Sequence, residues 1–140
     1  MIRNIKKKPI GYNLKKADNL LTDGINRIHS ELGITRLDWQ ILNTIHEATS
    51  AGRSAELTML GAFASPESLD RAITALQSKG LISQHEPLSL TEHGRELHTS
   101  ALQKQLAFRN QAMTGISEEA YLTVITTLEK LINNLSPNGK

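Results

Sequence analysis

The chain contains no cysteine, which excludes disulfide bonds, cysteine-ligated zinc and thiol redox sensing together. Aromatic residues make up only 4% of it, with a single tryptophan, so the core has to be built from aliphatic side chains. No apolar run approaches the roughly 20 residues that span a bilayer, and the start of the chain, though basic, lacks the apolar stretch of a secretory signal. A cytoplasmic protein with no membrane partner is the expectation. Acid is missing from the first 16 residues, where Arg3, Lys6, Lys7, Lys8, Lys15 and Lys16 stand. The rest of the chain holds ten Lys and Arg against fourteen Asp and Glu, so the formal charge of +2 conceals a basic arm on a mildly acidic body. Such an arm can follow phosphates with an affinity that falls as salt rises. A solvated tail and a tail that visits anionic bilayer surfaces are the other readings.

Catalytic signatures are missing as well. No serine, threonine or aspartate sits in a nucleophile elbow, and no glycine-rich phosphate loop is present, so an enzyme is not expected. His46-Glu47 begins like the helical motif of zinc proteases, but Ser50 stands where the second histidine is needed. His93 and His98 are five residues apart, which puts them on different faces of a helix. His29, His46, His85, His93 and His98 could converge only through the fold, and neither a metal nor a cofactor is expected.

What the sequence does contain is helix periodicity. Leu14, Leu21, Ile25, Ile28 and Leu32 recur at spacings of seven, four, three and four, a narrow seam on a helix that starts near Pro9 to Asn13 and stops at Gly33. Leu37, Ile41, Ile45 and Ala48, with Leu42 beside them, line a second helix from Thr35 or Arg36 to Ala48. A third is expected over 55–62, with Leu57, Leu60 and Phe63 turned inward. Leu81 to His85 and Leu88 to Leu90 read as two short strands around Glu86-Pro87. Thr91 caps a long helix reaching Thr114, and Ser117 caps a last one carrying Tyr121, Ile125, Leu128, Ile132 and Leu135. Long amphipathic helices flanking a module of about 60 residues present more apolar surface than that module covers, which points to a homodimer. A monomer in which these helices pack on each other is the alternative.

The segment 65–80 carries the functional signal. Ser65 is a good N-cap and Pro66 suits the first helical position. Leu69, Ala72, Ile73 and Leu76 fall on one stripe, and Gly80 ends the helix. The opposite face holds Ser68, Arg71, Thr74 or Ala75, and Ser78, with Glu67 near the exposed start. Small hydroxyl residues around an arginine suit a helix entering a major groove, where arginine can make two hydrogen bonds to one guanine edge. An ordinary solvated face fits the same residues.

In this order of elements the chain resembles the MarR family, the multiple-antibiotic-resistance regulators of bacteria and archaea. The residues that carry the resemblance are Leu32-Gly33-Ile34-Thr35 through Trp39-Gln40-Ile41-Leu42, then Leu69-Asp70-Arg71 with Leu76-Gln77-Ser78-Lys79-Gly80-Leu81-Ile82. Leu90-Thr91-Glu92-His93-Gly94-Arg95 is similar to the family's Leu-Thr-x-x-Gly junction between wing and long helix. The resemblance implies a mainly α fold with a small β wing, a winged helix-turn-helix flanked by long dimerisation helices. It divides the chain into a basic tail (1–8) and one domain (9–140), with dimerisation helices at 9–32 and 91–135 and the DNA-binding lobe at 35–91. It further implies a homodimeric transcriptional regulator, a repressor, whose two recognition helices occupy successive major grooves of a pseudo-palindromic operator. The DNA-contacting residues would be Ser65, Pro66, Ser68, Arg71, Thr74, Lys79 and His85. A small aromatic or anionic effector would release the DNA from a site at the lobe junction, drawn from Tyr12, His29, Trp39, His46 and Arg109. Packing in the core or across the dimer is the other reading of Trp39 and Tyr12. The chain departs from the family at the wing, where only His85-Glu86-Pro87 stands between the strands and no arginine is available for a minor groove. A winged-helix interaction module or dimer scaffold is the alternative function.

Overall fold

The computed structural model describes residues 7–48, 61 and 64–137. Among them the helices are α1 (Ile10–Glu31), α2 (Arg36–Glu47), α3 (Pro66–Ser78), α4 (Glu92–Ala112) and α5 (Glu118–Leu135). Leu57, Leu60 and Phe63 and, apart from Gly61, the helix expected over 55–62 lie outside the described residues, as do Arg3 and Lys6 of the basic start. The chain forms two compact units, one reaching Phe108 and one beginning at Arg109. No helix among the described residues is long and apolar enough to cross a membrane.

Helices α2, α3, α4 and α5 each begin where a side chain satisfies one of the first free amides. Thr35 accepts from the Asp38 amide at 3.0 Å while the Asp38 carboxylate accepts from the Thr35 amide at 3.0 Å, a reciprocal box that closes the start of α2. Ser65 does the same one-sidedly for α3, accepting from the Ser68 amide at 3.1 Å, with Pro66 in the first turn. Gly33 and Gly80 end α1 and α3 with φ of 73° and 74°, a left-handed turn that glycine adopts without steric cost.

The core of the first unit joins α2, α3 and the segment after α3. Ile41, Leu42 and Ile45 of α2 meet Leu69, Ile73 and Leu76 of α3, and Leu81, Ile82, Leu88 and Leu90 close the cluster. Leu37, Ala64, Ala72 and Leu97 pack against its edge. Burying one such aliphatic side chain is worth about 1.5–3 kcal/mol, so this cluster fixes α3 with its opposite face outward.

The expected wing is reduced. Among the described residues there is no β-strand, only an antiparallel bridge between Ile82 and Leu90. Side chains divert the rest of the ladder. The Ser83 amide donates to the Ser89 carbonyl at 2.8 Å, but the Ser89 amide donates to the Ser83 hydroxyl at 3.0 Å. The Ser83 carbonyl is taken by the Gln77 side-chain amide at 3.0 Å. Local side-chain bonds of this kind compete with strand pairing, and here they turn a hairpin into a loop tied to the end of α3.

The start of α4 is anchored on that loop. Thr91 donates its hydroxyl to the Gly80 carbonyl at 2.6 Å and accepts from the Gly94 amide at 3.0 Å, and its own amide donates to the Leu81 carbonyl at 3.1 Å. In the second unit, Ser117 caps α5 by accepting from the Ala120 amide at 3.0 Å, and Glu118 and Glu119 sit in the first turn, where negative charge suits the helix dipole. No residue of α5 is buried.

Candidate nucleic-acid interface

The outward face of α3 presents Arg71, Thr74, Ala75 and Ser78 exposed, with Ser68 half-buried at its start. A chain of hydroxyls leads along it. Ser65 donates to the Ser68 hydroxyl at 3.1 Å, and Arg71 Nη2 donates to the same oxygen at 3.4 Å. The Ser65 hydroxyl therefore has its donor and one acceptor direction engaged within the helix start, and Pro66 follows it exposed. The Arg71 guanidinium has further donors besides this one. Glu67 and Asp70 are exposed on the same helix and temper its positive charge.

The two other residues expected at DNA lie at the ends of this face. Lys79 reaches back to the loop between α1 and α2, where its ammonium donates to the Gly33 carbonyl at 3.4 Å. His85 sits exposed in the loop that replaces the wing, its carbonyl accepting from the Ser83 hydroxyl at 3.0 Å.

Three of the five residues expected at the effector junction come together, and a fourth ring joins them. His29 of α1 stacks on Trp39 of α2 with centroids 6.1 Å apart. Trp39 stacks on His98 of α4 at 4.8 Å, and His98 on His46 of α2 at 4.0 Å. The four rings form a column that links α1, α2 and α4 within the first unit. His29 and His98 are only 2% and 3% exposed. His98 donates Nε2–H to Asn43 Oδ1 at 2.9 Å, since an amide oxygen only accepts. Gln105 Nε2 stands 3.1 Å from His29 Nε2. An amide nitrogen only donates, so this ring nitrogen accepts and the ring proton sits on Nδ1, which is buried with no hydrogen-bond partner.

Both buried histidines are held below the ordinary value of about 6.5. For His29 the largest cause is burial, followed by the Arg36 charge, with Asp38 opposing. For His98 it is burial, then His46, with Glu47 opposing. Trp39 offers a charged ring about 0.5–2 kcal/mol through its π face. That is less than the several kcal/mol of an uncompensated buried charge, so the two buried rings, His29 and His98, stand neutral in the column.

The other two residues do not join it. Tyr12 is 17 positions before His29 on α1, about 25 Å along the helix, and is half exposed with the Lys8 ammonium 5.4 Å from its ring centre. Arg109 opens the second unit. His98, Asn43 and Gln105 were not among the expected site residues. The signal for His98 and Gln105 is a stripe of Gly94, His98, Ala101, Gln105 and Phe108 at spacings of four, three, four and three, all buried or half-buried, which is a core face written in small and polar residues.

A helix presenting an arginine-centred polar face is packed on a second helix, with a long helix before and after them in the chain. This arrangement recurs in solved structures. The MarR family protein Rv2887 of Mycobacterium tuberculosis in complex with DNA is similar with a TM-score of 0.69 and 21% identity, over 89% of this chain and 98% of that one. The same protein with salicylic acid matches with a TM-score of 0.61 and 20% identity, over 89% and 98%. CouR of Rhodococcus jostii RHA1 bound to p-coumaroyl-CoA matches with 0.66 and 18%, over 89% and 92%. A Listeria innocua protein of unknown function reaches 0.72 and 17%, over 91% and 93%. No protein-family model matches the chain, and no curated protein sequence does. The fold is that of the MarR-family transcription regulators, with the β wing reduced to one bridge.

Proposed function

We propose that the chain is a MarR-family transcriptional regulator that binds double-stranded DNA as a homodimer. The observation that carries this reading is α3, whose apolar stripe is locked into the core while Arg71, Thr74 and Ser78 face outward from a well-capped start. Rv2887 supplies a DNA-bound example of the same fold at low identity. Two copies of α3 would read a pseudo-palindromic operator in successive major grooves, with Arg71 reading bases and Lys79 and the basic start near phosphates. Regulation is repression, relieved by a small aromatic or anionic effector. The salicylic acid and p-coumaroyl-CoA complexes of the structural neighbours support that part, and His29, Trp39 and His46 are its candidate contacts in this chain.

A homodimer also accounts for the apolar side chains that the single chain leaves exposed. Ile10, Leu14, Leu20 and Leu21 on α1, Leu102 and Leu106 on α4, and Tyr121, Leu122, Val124, Ile132 and Leu135 on α5 are each more than a third exposed. Surface of this kind marks an interface.

One observation favours a second reading, a protein-interaction module. The loop in place of the wing carries Gln84, His85, Glu86 and Pro87 with no arginine or lysine. Selection of bound fragments from the source genome separates the two, run with wild-type protein beside Arg71→Ala at about 0.15 M salt. Enrichment of a pseudo-palindromic site is expected, and Arg71→Ala should cost about 1–3 kcal/mol and relax the base preference at one position of each half-site. An intact dimer that enriches nothing overturns the regulator reading.

A further inference from the structure

The four-ring column has the construction of a proton-sensitive joint. It is the place where α1, α2 and α4 meet through side chains that can change charge, and its hydrogen bonds are written for neutral rings. A second proton on His29 would have to go on Nε2, facing the donor amide of Gln105 at 3.1 Å, while Nδ1–H stays buried without a partner. From α2 the same ring faces Arg36, which opposes the charge, and Asp38, which favours it. Asp38 is itself engaged by the Thr35 amide. A second proton on His98 keeps the bond to Asn43 but brings a cation against His46 at 4.0 Å. Glu47 of α2 is the acid that favours it. Protonation therefore strains the contacts of α2 with α1 on one side of Trp39 and with α4 on the other.

We propose that the column of His29, Trp39, His98 and His46 is a pH switch, intact while His29 and His98 are neutral, in which protonation of these two buried rings in mildly acidic solution unstacks the column and loosens α2 from α1 and α4. The sign follows from burial. A histidine held lower in the folded state than in the unfolded chain binds fewer protons when folded. Its stabilising effect is complete above about 6.5 and is lost as pH falls below that value toward the lower folded one. The consequence for DNA rests on the regulator reading. Loosening this joint changes how α2, and the recognition helix α3 packed on it, is held against α1 and α4. Affinity for operator DNA then falls as pH falls through the histidine range.

The chain has a built-in reporter, because its single tryptophan lies inside the column. The test is tryptophan emission of the full-length protein without DNA, across about pH 8 to 5, where histidine changes charge. The expected result is a sigmoidal change in the wild type that is lost in the His29→Gln, His98→Gln double variant. A flat wild-type profile overturns the proposal, and so does a profile that the double variant leaves unchanged. Should that variant not fold, imidazole resonances of the wild type decide. The two buried rings must titrate in step with the Trp39 indole signal, and buried rings that stay neutral while Trp39 moves overturn the proposal. DNA affinity at about pH 7.5, measured separately, tests the regulator reading on its own.

Discussion

Gly94 has no side chain because the Leu81 carbonyl oxygen occupies the space that a Cβ would need. The contact belongs to a compact arrangement in which Thr91 bonds Gly80, Leu81 and Gly94 at once. This is the physical content of the Leu-Thr-x-x-Gly junction at 90–94. The threonine caps α4, and the glycine lets that helix lie against the loop after α3. Gly94→Ala pushes Cβ onto backbone, which cannot rotate away, and should destabilise the protein by about 1–3 kcal/mol. Gly11, also helical, has open space around its Cα, so Gly11→Ala should be neutral or slightly stabilising. Thermal unfolding of the two variants beside the wild type checks the pair. Equal midpoints would show that the junction glycine is not required by packing.

Helix α3 joins two jobs at its first turn, and substitutions there can separate them. The Ser65 hydroxyl is occupied as a cap and as a donor to Ser68, so Ser65→Ala should cost about 0.5–2 kcal/mol of stability. Base preference should stay unchanged, because in the proposed complex it is Arg71 that reads the edge. Arg71→Ala should do the reverse. A comparison of melting curves with selected binding sites would reveal a shift in sequence preference for Ser65→Ala if the serine itself contacted bases. The boundaries of these elements were legible in the sequence because caps and stops are local. Pro9, Thr35, Ser65, Thr91 and Ser117 stand immediately before the observed helices. The reduction of the wing is not legible, because its cause lies outside the two segments. Leu81, Ile82, Leu88 and Leu90 are buried as their spacing suggests, but Gln77 intercepts the Ser83 carbonyl from another element, and no local pattern announces that. The histidine column was half legible. His29, Trp39 and His46 lie on helices with clear apolar stripes, whereas His98 lies on a stripe with glycine, alanine and glutamine, invisible to a search for hydrophobic periodicity.

For the whole molecule the decisive question is what covers the apolar side chains of α5. Tyr121, Ile132 and Leu135 were expected on a seam with Ile125 and Leu128. In the single chain the first three are 45%, 57% and 78% exposed, while Ile125 and Leu128 are half-buried. An isolated amphipathic helix of 18 residues draws most of its stability from packing its apolar face, so a free surface of this kind is poorly sustained in water. A second copy of the chain supplies a matching surface by symmetry, because a two-fold interface sets the same patch against itself. Ile132→Glu keeps helix propensity nearly unchanged and places a charge at a site a dimer would desolvate. Truncating or charging one well-buried interface residue costs about 2 kcal/mol or more, which weakens association by at least about thirtyfold. Sedimentation velocity should then show a wild-type dimer and an Ile132→Glu monomer at the same concentration, with the helix content retained by circular dichroism. DNA affinity should fall with it, since a monomer meets one half-site alone. A wild-type monomer throughout that concentration range would mean that α5 finds its cover within the chain, and the two-groove geometry of the proposed operator would have to be abandoned with the dimer.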